Sequence, residues 1–366
     1  MVTLKDLPTV LLIEILSRLS TESLLQFKSV CKFWYALIKD PTIFSLQHER
    51  IFIKRRVMVD FENFMYIPSI IKLSLAPSRS MSILDVNNPF KNNESFNICG
   101  HSHDLVCLSF DRDIFLFNLT TEKFRKLPLS IIHYLGDTYD IDFSFTSAVG
   151  FGYNSNSRDF KVIRVVEFWN RYGETDFSTR VEIYDLRKER WREIESPTYG
   201  RASKSPVASQ MHHEGTYYWW AYKEGGTNII HTFDMSEEVF GKISVPNNVA
   251  AEREEYISMG ILNRSIVIFH YRVTGNEKTF DIWEMEKDVI SWSKLMTIGP
   301  VLGVEKPLSF VNSDELLMET NEGQVIYYNI KTHMTKVLPL KGRPCVFTTN
   351  CLDFNLQEER ESRMNF

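Results

Sequence analysis

Five stretches of this chain repeat one short pattern, and that repetition limits the fold more than any other feature. FNLTTEKFRKLP begins at Phe117, YDLRKERWREIE at Tyr184, FDMSEEVFGKIS at Phe233, WEMEKDVISWSKLM at Trp283 and YNIKTHMTKVLPL at Tyr328. Each reads as an aromatic, a polar and an apolar residue, then a polar turn, then another strand. The starts lie 67, 49, 50 and 45 residues apart. Units of about 40–50 residues that hold several strands are the mark of propeller blades. A single blade leaves its faces wet, whereas a ring of blades covers them. The first interval has room for extra strands, such as GFGYNSNSRDFKVIRVV, so the pattern predicts five to seven blades. A two-sheet sandwich is the alternative arrangement.

Around the repeats lie short β-branched and aromatic runs, among them VCLSF (106–110), FKVIRVV (160–166), TYYWWAY (216–222), SIVIFHY (265–271) and ELLMET (315–320). Gly215, Gly225-Gly226, Asn263 and Glu322-Gly323 mark turns between such runs. No helical pattern separates them, which predicts antiparallel hairpins and meanders, not βαβ units. Three segments of mixed charge interrupt the strands: 168–180 with Trp169 and Arg171, 245–256 with Glu252, Glu254 and Glu255, and 271–280. They read as loops, and loops on rigid sheets carry binding specificity. Trp219 and Trp220 are adjacent and point to opposite faces of a strand. One is expected to pack between sheets and the other to be more exposed, where a Trp can anchor a protein interface. Trp220 therefore joins Trp169, Arg171, Glu252, Glu254 and Glu255 as a candidate contact residue.

Residues 6–48 are of different material. Pro8 suits a first helical turn. Val10, Leu11, Ile13, Ile15, Leu16 and Leu19 make the first helix apolar on more than one side. Ser20 or Thr21 can cap a second helix with Leu24, Leu25 and Phe27. Val30, Phe33, Trp34, Leu37 and Ile38 recur at three- and four-residue steps. Asp40-Pro41 ends that run and opens a fourth turn with Phe44. Forty-odd residues cannot bury this apolar surface alone, so another domain or another protein must cover it. The join, 49–57, reads as the solvated edge of the first strand, and the acidic tail 357–362 as disordered.

Composition narrows the function. There are 42 basic and 47 acidic residues, a net charge of −5, which disfavours wholesale nucleic-acid binding. The first residues lack a basic region ahead of an apolar core, so no signal peptide is expected. No apolar run approaches the ~18 residues of a membrane span. Cys31, Cys99, Cys107, Cys345 and Cys351 are odd in number and form no CxxC pair, which fits reduced thiols in cytosol or nucleus. There is no GxSxG elbow, GxxxxGKS loop or GxGxxG after a strand. His101-Ser102-His103-Asp104 reads as a polar turn rather than a metal site. His212-His213-Glu214 divides its imidazoles between two faces. No catalytic residue, cofactor or metal is expected.

Two resemblances complete the reading. Leu7-Pro8, Ile15-Leu16, Leu19, Ser23-Leu24, Phe27, Val30-Cys31-Lys32, Trp34, Leu37-Ile38, Pro41, Phe44 and His48 resemble the F-box of plant F-box proteins. Ser20 stands where that family usually has Pro, and Thr9-Val10 where an acid is frequent. The strand region resembles the F-box-associated region that follows plant F-boxes. The matching elements are Phe117-Asn118 with Leu127-Pro128, Gly150-Phe151-Gly152-Tyr153 with Lys161-Val162, Tyr218-Trp219, Phe233-Asp234 and Trp292-Ser293-Lys294. Together the two most resemble the S-locus F-box and S-locus F-box-like proteins. The resemblance implies a helical F-box at 1–50, a propeller-like all-β domain at 51–356 and a tail at 357–366. It implies a non-catalytic substrate receptor of a Skp–cullin–F-box ubiquitin ligase. Leu7, Pro8, Ile15, Leu16, Leu19, Leu24 and Trp34 would meet the Skp-type adaptor, or support the surface that does. The β domain would hold a protein substrate, with basic style S-RNases as the case the S-locus likeness implies. The alternatives are a receptor for an unrelated plant protein and a glycan-binding module.

Overall fold

The computed structural model describes residues 12, 27, 29–38, 49–60, 65–75, 81–86, 96–102, 105–110, 113–118, 123–132, 143–154, 156–157, 159–169, 178–196, 201–202, 210–222, 227–253, 256–263, 265–286, 290–338 and 343–348. For 36–38, 49–60, 65–75, 81–86, 143–145, 147, 169, 178, 201–202, 210, 222 and 343–348 it describes the backbone alone. In the N-terminal segment, α1 (Lys32–Ile38) forms within the run expected to be the third helix.

The strand region is a ring of antiparallel sheets. β1 (Glu49–Asp60), β2 (Met65–Leu75) and β3 (Met81–Val86) form one sheet with β25 (Arg343–Thr348). Five consecutive blades lie between them. The first is β4 (Asn97–Ser102), β5 (Leu105–Phe110), β6 (Asp113–Asn118) and β7 (Lys123–Lys126). The second is β8 (Phe143–Asn154), β9 (Asp159–Trp169), β10 (Ser178–Asp185) and β11 (Arg190–Ile194). In the third, β12 (Arg201–Ala202) and β13 (Gln210–His213) both pair with β14 (Thr216–Tyr222), followed by β15 (Asn228–Asp234) and β16 (Phe240–Ser244). The fourth holds β17 (Ile257–Leu262), β18 (Ser265–Thr274), β19 (Glu277–Glu286) and β20 (Ser291–Leu302). The fifth holds β21 (Val304–Asn312), β22 (Glu315–Thr320), β23 (Val325–Asn329) and β24 (Thr335–Val337).

β4, β8, β13, β17 and β21, one from each blade, line the inside of the ring. β4 lies against β8, β13 against β4, β8 and β17, and β21 against β17 and β25. This is a propeller, and it overturns the sandwich alternative. The closing sheet corrects the reading of 49–57 as a strand edge. β1 pairs with β2 on one side and β25 on the other, with Ile51 opposite Thr348 and Arg56 opposite Arg343. A strand from the far end of the sequence occupies the edge that the local pattern leaves open.

The five repeats are the hairpins between the third and fourth strands of each blade. In the third and fifth blades the polar residue of the repeat builds the turn. Asp234 Oδ1 accepts from the amides of Ser236 and Glu237, each at 2.8 Å. Asn329 Oδ1 accepts from Lys331 at 3.1 Å and Thr332 at 2.9 Å. A short carboxylate or amide side chain thus stands in for a backbone acceptor. The turns then pass through left-handed residues, Glu189 (φ 51°), Glu238 (φ 59°) and His333 (φ 57°).

The core lies between blades, in layers. Cys107, Leu116, Phe151, Tyr184 and Trp191 join the first blade to the second. Ile163, Ile183, Tyr217, Trp219 and Phe233 join the second to the third. Trp220, Ile230, Met259 and Ile268 join the third to the fourth, and Phe269, Phe280, Phe310 and Leu316 the fourth to the fifth. Burying each such side chain contributes about 1.5–3 kcal/mol. The Gly-Phe-Gly-Tyr element makes one joint tight. A Cβ at Gly150 would sit 2.6 Å from the Tyr217 ring, whose hydroxyl donates to the Val149 carbonyl at 2.7 Å.

Two expected loops are ordered elements instead. Residues 271–280 are the β18–β19 hairpin, closed by Gly275 at φ 63°. Segment 245–256 contains the short helix α2 (Asn247–Ala250), with Val249 fully buried.

Candidate functional site

At the N-terminal segment the described side chains leave apolar surface bare. Phe27, Val30 and Phe33 are 38%, 64% and 41% exposed. Trp34 is half-buried, stacked on Phe27 at 5.6 Å and edge-on to Phe33 at 6.4 Å. The amide of Tyr35 donates to the Cys31 carbonyl at 2.9 Å, which starts the helix. Cys31 is exposed, unlike Cys99 and Cys107, which pack in the first blade. Leu7, Pro8, Ile15, Leu16, Leu19 and Leu24 lie outside the described residues.

The expected contact residues of the β domain scatter. Trp220 is 2% exposed in the layer between the third and fourth blades, and Trp219 is 3% exposed in the layer on the other side. The expectation of one exposed indole is therefore corrected. Both faces of a propeller blade are covered, so side chains of either parity are buried. Trp169 ends β9 opposite Phe143, and its side chain lies outside the description, as do Arg171, Glu254 and Glu255.

Glu252 is held in place. Its carbonyl accepts from Asn228 Nδ2 at 2.7 Å, and its carboxylate lies 3.2 Å from His270 Nε2. The Arg253 amide and His270 keep this carboxyl below the usual glutamate range. α2 and the residues after it are thereby strapped across the joint between two blades.

A polar network that sequence reasoning missed ties the second blade to the third. Glu238, in the β15–β16 turn, pairs with Lys161 and Arg192, and Arg192 also binds Asp185 at 3.1 Å. Lys161 is only 4% exposed. Burial pushes the Glu238 carboxyl up, but bonds from Arg192 and Lys161 outweigh it and hold it low. Asp281 is similarly held low against its burial by Lys294, Thr297 and Arg272. The signal for Glu238 is the left-handed turn position of the repeat, although its partners lie far away in sequence. Deeper in, Glu182 accepts from Arg164 at 3.4 Å and from the Ile131 amide at 3.1 Å, and burial still raises its pKa.

The Glu238 carboxylate is paired across two blades, Asp281 is paired within the fourth, and Glu182 binds Arg164 of its own blade and the Ile131 amide. Among the described residues no group of three or more His, Cys, Asp or Glu side chains converges on a common point. His101 and Ser102, expected in a polar turn, end β4 and are each 1% exposed. His212 and His213 are buried in β13 ahead of the expected Glu214-Gly215 turn.

Comparison with known proteins agrees with this architecture. Residues 56–350 match the F-box associated beta propeller domain, and residues 4–46 match the F-box domain. An F-box/kelch-repeat protein of Arabidopsis thaliana is 25% identical over 88% of this chain and 87% of its own length. The Arabidopsis thaliana F-box protein CPR1 is 24% identical over 92% of this chain and 84% of its own. Among solved structures, TolB from Acinetobacter baumannii aligns at 9% identity with a TM-score of 0.47, over 81% of this chain and 65% of that one. With an F-box match ahead of a propeller match that spans most of its length, the chain belongs to the F-box proteins that carry an F-box associated β-propeller domain.

Proposed function

We propose that this chain is the substrate receptor of a Skp–cullin–F-box ubiquitin ligase, working in cytoplasm or nucleus. The observation that carries the reading is the order of the two family matches, F-box at 4–46 and propeller at 56–350. The bare Phe27, Val30 and Phe33 support it, since exposed apolar side chains on a short helical segment call for a covering partner. In this reading Leu7, Pro8, Ile15, Leu16, Leu19, Leu24 and Trp34 form or support the surface that meets a Skp-type adaptor. The adaptor links the receptor to a cullin scaffold. The receptor breaks no bond. It raises the effective concentration of substrate lysines near a charged ubiquitin carrier.

A finer version takes the chain as an S-locus F-box-type receptor whose substrate is a basic style S-RNase. Its support is the acidic run Glu252, Glu254 and Glu255 and the net charge of −5. The glycan-binding alternative loses its main support, because Trp219 and Trp220 are buried. Affinity capture of the tagged chain with the proteasome blocked tests the receptor reading. Adaptor and cullin should be recovered together with ubiquitinated protein, and recovery of neither would refute it.

A further inference from the structure

The first blade carries two thiols on one face of adjacent strands. Cys99 lies in β4 and Cys107 in β5, and they are 1% and 0% exposed. Ile98 pairs with Leu108 and Gly100 with Cys107, so Cys99 is the extra residue of a bulge. In a bulge two residues of one strand oppose one of the other, here Cys99 and Gly100 opposite Cys107. Gly100 brings no side chain, and a Cβ there would lie 3.1 Å from the Phe151 carbonyl oxygen. Cys99 therefore takes the place across from Cys107, and both pack in the layer with Leu105, Leu116 and Phe151.

The two side chains meet. The Cys107 thiol is hydrogen-bonded to Cys99, and the Cys99 thiol donates to Ser109 Oγ at 3.1 Å. Facing residues of antiparallel strands have Cα atoms about 4.5–5.5 Å apart, inside the range of about 4.4–6.8 Å that a disulfide spans. A bond between the sulfurs therefore asks little movement of the backbone. β4 lies against β8 and β13 on the inside of the ring, so such a bond would brace the strand on which those blades rest.

We infer that Cys99 and Cys107 form a disulfide when the chain meets sustained hydrogen peroxide, stapling β4 to β5 inside the first blade. One sulfur attacks the peroxide, whose O–O bond breaks, leaving a sulfenic acid and a water. The second sulfur then displaces the sulfenic oxygen, which leaves as another water, and the S–S bond forms. Two thiols are oxidised, one peroxide is reduced, and both thiol protons end in water. Burial first, and the bond to Cys99 second, hold the Cys107 thiol well above its ordinary pKa, so thiolate is scarce. The reaction is accordingly slow and answers prolonged oxidation, not a brief pulse. The same seal acts in reverse, because a reducing thiolate must reach a sulfur to open the bond. Once made, the staple outlasts the oxidant.

The test incubates the purified full chain with hydrogen peroxide, blocks remaining thiols with N-ethylmaleimide in urea and maps the peptides without reductant. A peptide linking Cys99 to Cys107, lighter than its two halves by two hydrogen atoms, should be the main cross-link. It should persist when the folded chain is held in reduced glutathione and vanish when urea is added with the same reductant. The urea midpoint of the oxidised chain should lie above that of the reduced one. Cys99→Ser, checked for strand content by circular dichroism, should show neither the link nor the rise. Should that variant fail to fold, the wild-type map and midpoint decide by themselves. Cross-links confined to Cys31, Cys345 or Cys351, sulfinic acid at Cys99 or Cys107 without the link, or thiols left untouched would each overturn the inference.

Discussion

His212 should make the propeller acid-sensitive, and the size of the effect follows from its setting. The imidazole is 6% exposed on β13, and a Cβ at Gly152 of β8 would lie 2.7 Å from its Nε2. That nitrogen has no hydrogen-bond partner. Burial first, and the neighbouring His213 second, lower its pKa from 6.5 to about 4. Between those values the unfolded chain carries a proton that the folded chain refuses. Stability is therefore full above pH 6.5 and is lost as the pH falls toward 4. Each pKa unit corresponds to about 1.4 kcal/mol, so the whole window is worth about 3 kcal/mol. Equilibrium urea unfolding of the full chain, followed by tryptophan fluorescence at pH 7.5 and pH 4.5, measures it. The same pair of curves on His212→Gln, which cannot titrate, removes the contribution of carboxylates common to both proteins. Wild type should lose about 2–3 kcal/mol more than His212→Gln on acidification. Equal losses would refute the account of a neutral, desolvated imidazole at the joint between blades.

Three further outcomes are expected. Gly150→Ala forces a methyl into the Tyr217 ring 2.6 Å away and should cost about 1–3 kcal/mol in urea unfolding; no change would show that the second and third blades pack less closely than described. Glu238→Gln leaves the buried Lys161 without its strongest partner and should cost roughly 1–3 kcal/mol, whereas a neutral result would mean that Asp185, 4.0 Å away, suffices. Reversing Glu252, Glu254 and Glu255 to Lys should slow association with a basic S-RNase strongly at low salt, and an unchanged rate in stopped-flow would dismiss the electrostatic part of that proposal.

The strands were legible because β-branched and aromatic runs broken by turn residues describe them locally. TYYWWAY and ELLMET coincide with β14 and β22. The repeat was legible because, in the third and fifth blades, it records a turn whose Asp or Asn side chain bonds the next amides. What local sequence could not show depends on distant partners. β25 pairs with β1 across nearly the whole chain, and Glu238 meets Lys161 from 77 positions away. Trp220 looked like a candidate anchor because alternation gives a sheet one wet face, and a blade enclosed on both sides has none. The 271–280 hairpin reads as a loop because its tip, Arg272 to Glu277, is exposed, so strand residues there carry loop-like polarity. At the F-box the order of residue types identified the segment, while most of its adaptor candidates lie outside the described residues.

The most direct measurement titrates a purified Skp-type adaptor onto the full chain and onto its Leu16→Asp, Leu19→Asp double variant, with calorimetry reporting binding and circular dichroism reporting the strands. The account predicts a one-to-one complex with the first protein, none with the second, and the same strand signal in both. Equal binding by the two, or no binding by either, would contradict it.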